Sequence, residues 1–162
     1  MSGSTVVYTV EVRNFVGRIG SSSTFPYVQF TSFPHTFLVI TGPDSSTQEV
    51  GFQPAVPGSP YGPGQVTNIV NPIKGHDYDI SSGPIQISAA QYNALESYIS
   101  TSMASPPYYA LMAGAQCTAW AVQGLAQSEI IQPNIAPNLQ PTNANVLYNV
   151  FETLTFNPYN GA

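Results

Sequence analysis

From Thr5 to Phe15 apolar and polar residues alternate, Val and Tyr against Thr, Glu and Arg, which is the period-two pattern of a strand with one buried face. Gly17 to Ser23 reads as a turn, and Tyr27 to Ser32 as a second strand. After Pro34 the run His35-Thr36-Phe37-Leu38-Val39-Ile40-Thr41 is β-branched and aromatic enough for a central strand. Gly42 to Ser46 has the composition of a hairpin turn, and Thr47 to Gln53 returns as the next strand. Pro54 to Gly64 holds four prolines and three glycines and predicts loop throughout, followed by a short strand or edge from Gln65 to Val70. The isolated glycines are expected in turns.

The period changes at Ser88. Ser88-Ala89-Ala90-Gln91 is a capping box, in which the serine side chain accepts from the third helical N–H and the glutamine reaches back to the cap. Ile87 outside it and Tyr92 within it form a hydrophobic staple. Tyr92, Leu95, Ile99 and Ser102/Met103 then continue one face at helical spacing, until Pro106-Pro107 stops the helix. A second helix is expected from Gln116 to Gln127. A third, short one is expected from Asn143 to Leu154, after a loop from Pro133 to Pro141.

A chain of 162 residues with 43% hydrophobic content can bury a real core, and residues 1–162 are read as one domain. Three basic residues, Arg13, Arg18 and Lys74, stand against eight acidic ones. That balance offers no basic stripe for phosphates, so nucleic acid is not an expected partner. The charged fraction of 7% leaves the surface to Ser, Thr, Asn, Gln, Gly and Pro, a composition that suits life outside the cytoplasm. The N-terminus has neither a basic n-region nor an apolar h-region, so export is expected by a signal-independent route. No run approaches the roughly 20 apolar residues of a membrane span.

The single cysteine, Cys117, excludes an internal disulfide and stands at the start of an apolar helix. The unpaired N–H groups and partial positive charge of a helix N-terminus stabilise a thiolate and a developing oxyanion, which makes Cys117 a candidate nucleophile. The competing reading is a small buried hydrophobe among Ala, Trp and Leu. A nucleophile needs a base, and there are two histidines. His35 opens the central strand, where its ring would be held rigidly, while His76 lies in the polar loop Lys74-Gly75-His76-Asp77-Tyr78-Asp79. Two histidines and one cysteine at these separations form no metal-ligand motif, and no phosphate-cradling loop or dinucleotide fingerprint is present, so no cofactor is expected. Trp120, Leu125 and the Tyr92 face are core on either reading.

Taken in order, His35-Thr-Phe-Leu-Val-Ile-Thr, Val50-Gly51-Phe52, His76-Asp-Tyr-Asp, Ile87-Ser-Ala-Ala-Gln-Tyr-Asn-Ala-Leu and Gln116-Cys117-Thr-Ala-Trp-Ala resemble the circularly permuted NlpC-type papain-like cysteine peptidases and amidases. The resemblance runs from about His35 to Ile130, and Gln116 stands where the family commonly has Asn. It implies an α+β fold, an antiparallel sheet with helices packed on one side, with Cys117 as nucleophile and His35 as base across a cleft. Family practice places the third member on the strand after the histidine, here Thr47, Gln48 or Glu49. Glu49 is preferred because a carboxylate best stabilises an imidazolium, with Gln48 next. Tyr108 or Tyr109 would aid the oxyanion hole, and His76 and Gln116 would contact substrate near the cleft mouth. The substrate class implied is an amide, most plausibly a peptidoglycan peptide bond. The resemblance further implies a toxin effector delivered by a secretion machine to the periplasm, or the cytoplasm, of a target cell and plugged by a cognate immunity protein. A host-directed protease, a lipid acyltransferase and a non-enzymatic β-rich secreted or virion module are the alternatives.

Overall fold

A computed structural model of the chain describes residues 6–15, 18–19, 30–32, 35–57, 59, 61–110, 117–132 and 156–159. The alternating N-terminal stretch forms β1 (Tyr8–Phe15), followed by β2 (Arg18–Ile19), β3 (Phe30–Ser32), β4 (His35–Thr41), β5 (Thr47–Pro54), β6 (Tyr61–Val70), β7 (Ile80–Ser81) and β8 (Ile85–Ile87). Helix α1 (Ala89–Ala104), strand β9 (Tyr108–Ala110) and helix α2 (Cys117–Gln127) complete the described elements. Seven strands make one antiparallel sheet in the order β7-β1-β4-β5-β6-β9, with β8 also on β1, and β2 pairs β3 separately. The expected helix from Asn143 to Leu154, the loop from Pro133 to Pro141 and most of the 17–29 stretch lie outside the described residues.

Strand alternation decides which face holds the core. Val10, Val12, Leu38, Ile40, Val50, Phe52 and Val66 point one way and cluster with Leu95 and Ile99 of α1 and Trp120, Ala121 and Leu125 of α2. Both helices therefore cover one face of the sheet, which gives an α+β domain with an antiparallel sheet. The odd-numbered residues Glu11, Arg13, Phe37 and Glu49 point to the other face, and Phe37 is buried there outside the main core.

The hairpin between β4 and β5 closes as its composition suggests, with Gly42 N–H donating to the Ser46 carbonyl at 2.9 Å and Asp44 accepting from the Ser46 N–H and hydroxyl. At Ser88 the capping box is formed in both directions, the hydroxyl accepting from Gln91 N–H at 3.1 Å and the Gln91 side chain accepting from Ser88 N–H at 2.8 Å. The two helices lock through Trp120, whose indole N–H donates to Ser102 Oγ at 3.1 Å and whose carbonyl accepts from the Tyr98 hydroxyl at 2.8 Å.

One expectation fails clearly. The stretch read as loop from Pro54 to Gly64 is strand at both ends, because β5 runs through Pro54 and β6 begins at Tyr61. Pro63 has no N–H to give, but its carbonyl accepts from the Ala55 N–H at 2.8 Å. Gly64 lies in the strand rather than in a turn, since a side chain would run into the Pro107 carbonyl and the Phe52 ring. Four short strands, β2, β7, β8 and β9, are too brief to show a period and were not expected, and β2 falls within the stretch from Gly17 to Ser23 that was read as a turn.

Candidate functional site

The first turn of α2 docks on the beginning of β4. Thr36 Oγ1 and Thr118 Oγ1 share a hydrogen bond at 2.9 Å, both hydroxyls being buried. Beside them the Cys117 sulfur lies 3.9 Å from Thr118 Oγ1. Cys117 thus sits at the helix start, as expected, and against the residue that directly follows His35.

The electrostatics of that position differ from the expectation of a resting thiolate. Burial pushes the Cys117 thiol up, outweighing the hydrogen bonds from the Thr36 N–H, the Thr118 side chain and N–H and its own N–H that pull it down. His35 moves the opposite way: burial lowers it from 6.5 to about 4. The ring retains some exposed surface, yet protein atoms surround it densely enough to penalise the imidazolium. At neutral pH the pair is therefore a thiol and a neutral imidazole.

His35 and Thr36 leave β4 on different faces, so the imidazole stands on the face opposite α2 and Cys117. Thr36 points to α2, whereas the His35 ring stacks on Phe37 with centroids 5.9 Å apart. Its Nε2 stands 2.9 Å from where a Cβ on Gly51 would lie, so the strand glycine makes room for the ring. Among the described residues no hydrogen bond joins the Cys117 sulfur to His35. The structure brings the two residues to one end of β4 and leaves the expected thiol–imidazole bond unformed.

The candidates for a third member separate by register, Gln48 opposite Ile40 and Glu49 opposite Val39. Gln48 faces α1, donating to Glu96 at 3.0 Å and accepting from Asn68 at 3.0 Å, and so takes no part at His35. Glu49 shares the face of His35, but its carboxylate is committed to His76: it accepts from His76 Nδ1 at 2.7 Å and from the His76 backbone N–H at 3.1 and 3.2 Å. Arg13 stands 3.9 Å from the same carboxylate, is paired with Glu11 and lies over the Tyr78 ring at 4.2 Å. His76 is accordingly not a free loop residue. Its ring lies 5.4 Å from Phe37 and 6.4 Å from His35, centroid to centroid.

Alternation in β9 also divides the two tyrosines. Tyr108 is 63% exposed, whereas Tyr109 is buried against Phe52 at 5.5 Å. Burial first, and then the Cys117 charge, push the Tyr109 hydroxyl up to about 12, so it stays a proton donor at neutral pH. Gln116 lies outside the described residues. Among the described residues no group of three or more His, Cys, Asp or Glu is arranged to hold a metal ion, and no helix is long and apolar enough to cross a membrane.

Thr36, Thr118, Gly51, Gly75 and Arg13 were not singled out by the sequence. Only Gly51 carried a local signal, a glycine within a strand, which often marks close approach of another group. Compared with protein-family models, curated proteins and solved structures, the chain matches none of them.

Proposed function

We propose that this chain is a papain-like thiol hydrolase or acyltransferase of the permuted NlpC type, with Cys117 as nucleophile and His35 as base. The observation that carries the reading is the Thr36–Thr118 hydroxyl hydrogen bond at 2.9 Å, which docks the helix start bearing Cys117 on the strand that His35 opens. The sequence order of the two residues supports it.

The resting pair is neutral, so activation is proton transfer during substrate binding rather than attack by a standing thiolate. Catalytic hydrogen bonds are commonly loose without substrate and tighten in the complex. The imidazole, seated on Phe37, must meet the sulfur round the open end of β4, where pairing with β5 stops at Phe37 and Gly51. His35 then takes the thiol proton as the sulfur attacks the acyl carbon, and returns it to the departing amine. The N-terminal N–H groups of α2 and the Tyr109 hydroxyl meet the oxyanion. Water or another nucleophile releases the acyl group.

The substrate we assign is a peptidoglycan peptide bond, the setting a secreted antibacterial effector acting in a target cell's periplasm, with an immunity protein as the natural plug of the cleft. Host-directed proteolysis and lipid acyl transfer use the same residues. Digestion of purified peptidoglycan with wild type and with Cys117→Ala, followed by mass spectrometry, tests the assignment: a new stem-peptide fragment made only by wild type supports it. Cysteine-independent products, or none, count against it. The burial of Cys117, 7% exposed, favours one second reading, a non-enzymatic module in which the thiol only fills space.

A further inference from the structure

We propose that Glu49 serves His35 through His76: the carboxylate holds the second imidazole beside the first, making His76 a positioning residue of the site. This rests on the reading of His35 as the base.

Glu49 is 3% exposed, and a buried carboxylate is costly unless it is hydrogen-bonded. Among the described residues its hydrogen bonds come from the backbone N–H and Nδ1 of His76. The segment carrying His76 reaches so far down because residue 75 has no side chain; a Cβ there would collide with the Glu49 carboxylate. A strap meant only to cover Phe37 needs an apolar residue beneath it, not a carboxylate. In the tautomer that donates Nδ1–H to Glu49, His76 has its lone pair on Nε2. Phe37 is the common floor of both imidazoles and sets them side by side.

The chemistry needs such a neighbour. When His35 takes the Cys117 proton it becomes an imidazolium in a place where burial disfavours charge, and among the described residues no carboxylate bonds it directly. His76 Nε2, backed by Glu49, accepts a hydrogen bond from that imidazolium. At a centroid separation of 6.4 Å this takes one bridging water or a small shift of the half-exposed His76 ring. The proton itself travels from sulfur to His35 to the leaving amine, and His76 neither gains nor loses one. The charged and titratable groups facing the pair are Glu49 from β5, Arg13 and Glu11 from β1, and Tyr78 from the segment of His76.

The test follows Cys117 itself and needs no substrate. Iodoacetamide alkylation of Cys117 is timed between about pH 6 and 9 in wild type, His35→Ala, His76→Ala and Glu49→Gln, with and without added imidazole, fold being checked by circular dichroism. We expect His35→Ala and His76→Ala each to slow alkylation roughly tenfold or more, Glu49→Gln to resemble His76→Ala, and imidazole to restore His76→Ala by occupying the vacated, half-exposed place. A His76→Ala rate equal to wild type, with His35→Ala slow, overturns the positioning role and leaves His35 standing as the base. Slowing in His76→Ala without imidazole rescue marks a structural effect and also overturns it. Slowing in His76→Ala with no effect of His35→Ala makes His76 the base and overturns both readings, as does no effect of either variant.

Discussion

Thr36 Oγ1 and Thr118 Oγ1 lie 2.9 Å apart in the interior, and this hydroxyl pair fastens the cysteine-bearing helix to the histidine-bearing strand. Thr118→Val leaves the Thr36 hydroxyl buried without its partner and should cost about 1–3 kcal/mol. The Thr36→Val, Thr118→Val double variant should recover most of that loss, because two apolar groups of similar shape replace both partners. Denaturant melts of the single and double variants check the coupling. Additive losses would mean that the hydroxyls do not depend on each other.

His35 gives the protein an acid limb. Its folded value is depressed, from 6.5 to about 4, so its contribution to stability is present above the unfolded value and is lost as pH falls through 6.5 toward 4. At about 1.4 kcal/mol per unit the full loss is about 3 kcal/mol. Melts between pH 7 and pH 4 should show this decline in wild type and a shallower one in His35→Gln. An NMR titration of the His35 ring with its midpoint near 6.5 would contradict the account.

Gly51 makes room for the His35 ring. Gly51→Ala places a methyl 2.9 Å from Nε2, so the ring must move or the strands must part, at about 1–3 kcal/mol. Activity should fall further than the melt suggests, because the base is displaced directly. A variant of normal activity would show that the resting position of the ring is irrelevant to catalysis.

Tyr109→Phe should lower kcat roughly tenfold to a hundredfold with little change in KM, whereas Tyr108→Phe should leave both unchanged. The two tyrosines are adjacent in sequence, and alternation in β9 buries one against Phe52 and turns the other to solvent. Steady-state kinetics on peptidoglycan fragments distinguish them, and equal effects would argue against an oxyanion role for either.

What the sequence made legible was local. The capping box of Ser88 and Gln91 depends on residues three apart, the Gly42–Ser46 hairpin on residues four apart, and the alternation of β1 on its own strand. Each was readable because its partners are close in the chain. The prolines hid β6, since composition cannot show that Pro63 is held in the strand through its carbonyl. Likewise the choice between Gln48 and Glu49 waited on register, which one residue of slip reverses. The attachment of Glu49 to His76, twenty-seven positions away, is set by the path of the strap over the sheet and by the missing side chain of Gly75. The neutral resting state of Cys117 and His35 was illegible for the same reason: burial is a property of the assembled fold.

Peptide mapping of an acid-quenched reaction tests the central claim most directly. Wild-type protein mixed with peptidoglycan fragments should carry an acyl adduct on Cys117, absent from Cys117→Ala and formed far more slowly by His35→Ala. A protein that releases no cysteine-dependent product and shows no adduct on Cys117 at any time point would contradict the account and leave Cys117 as a buried structural thiol.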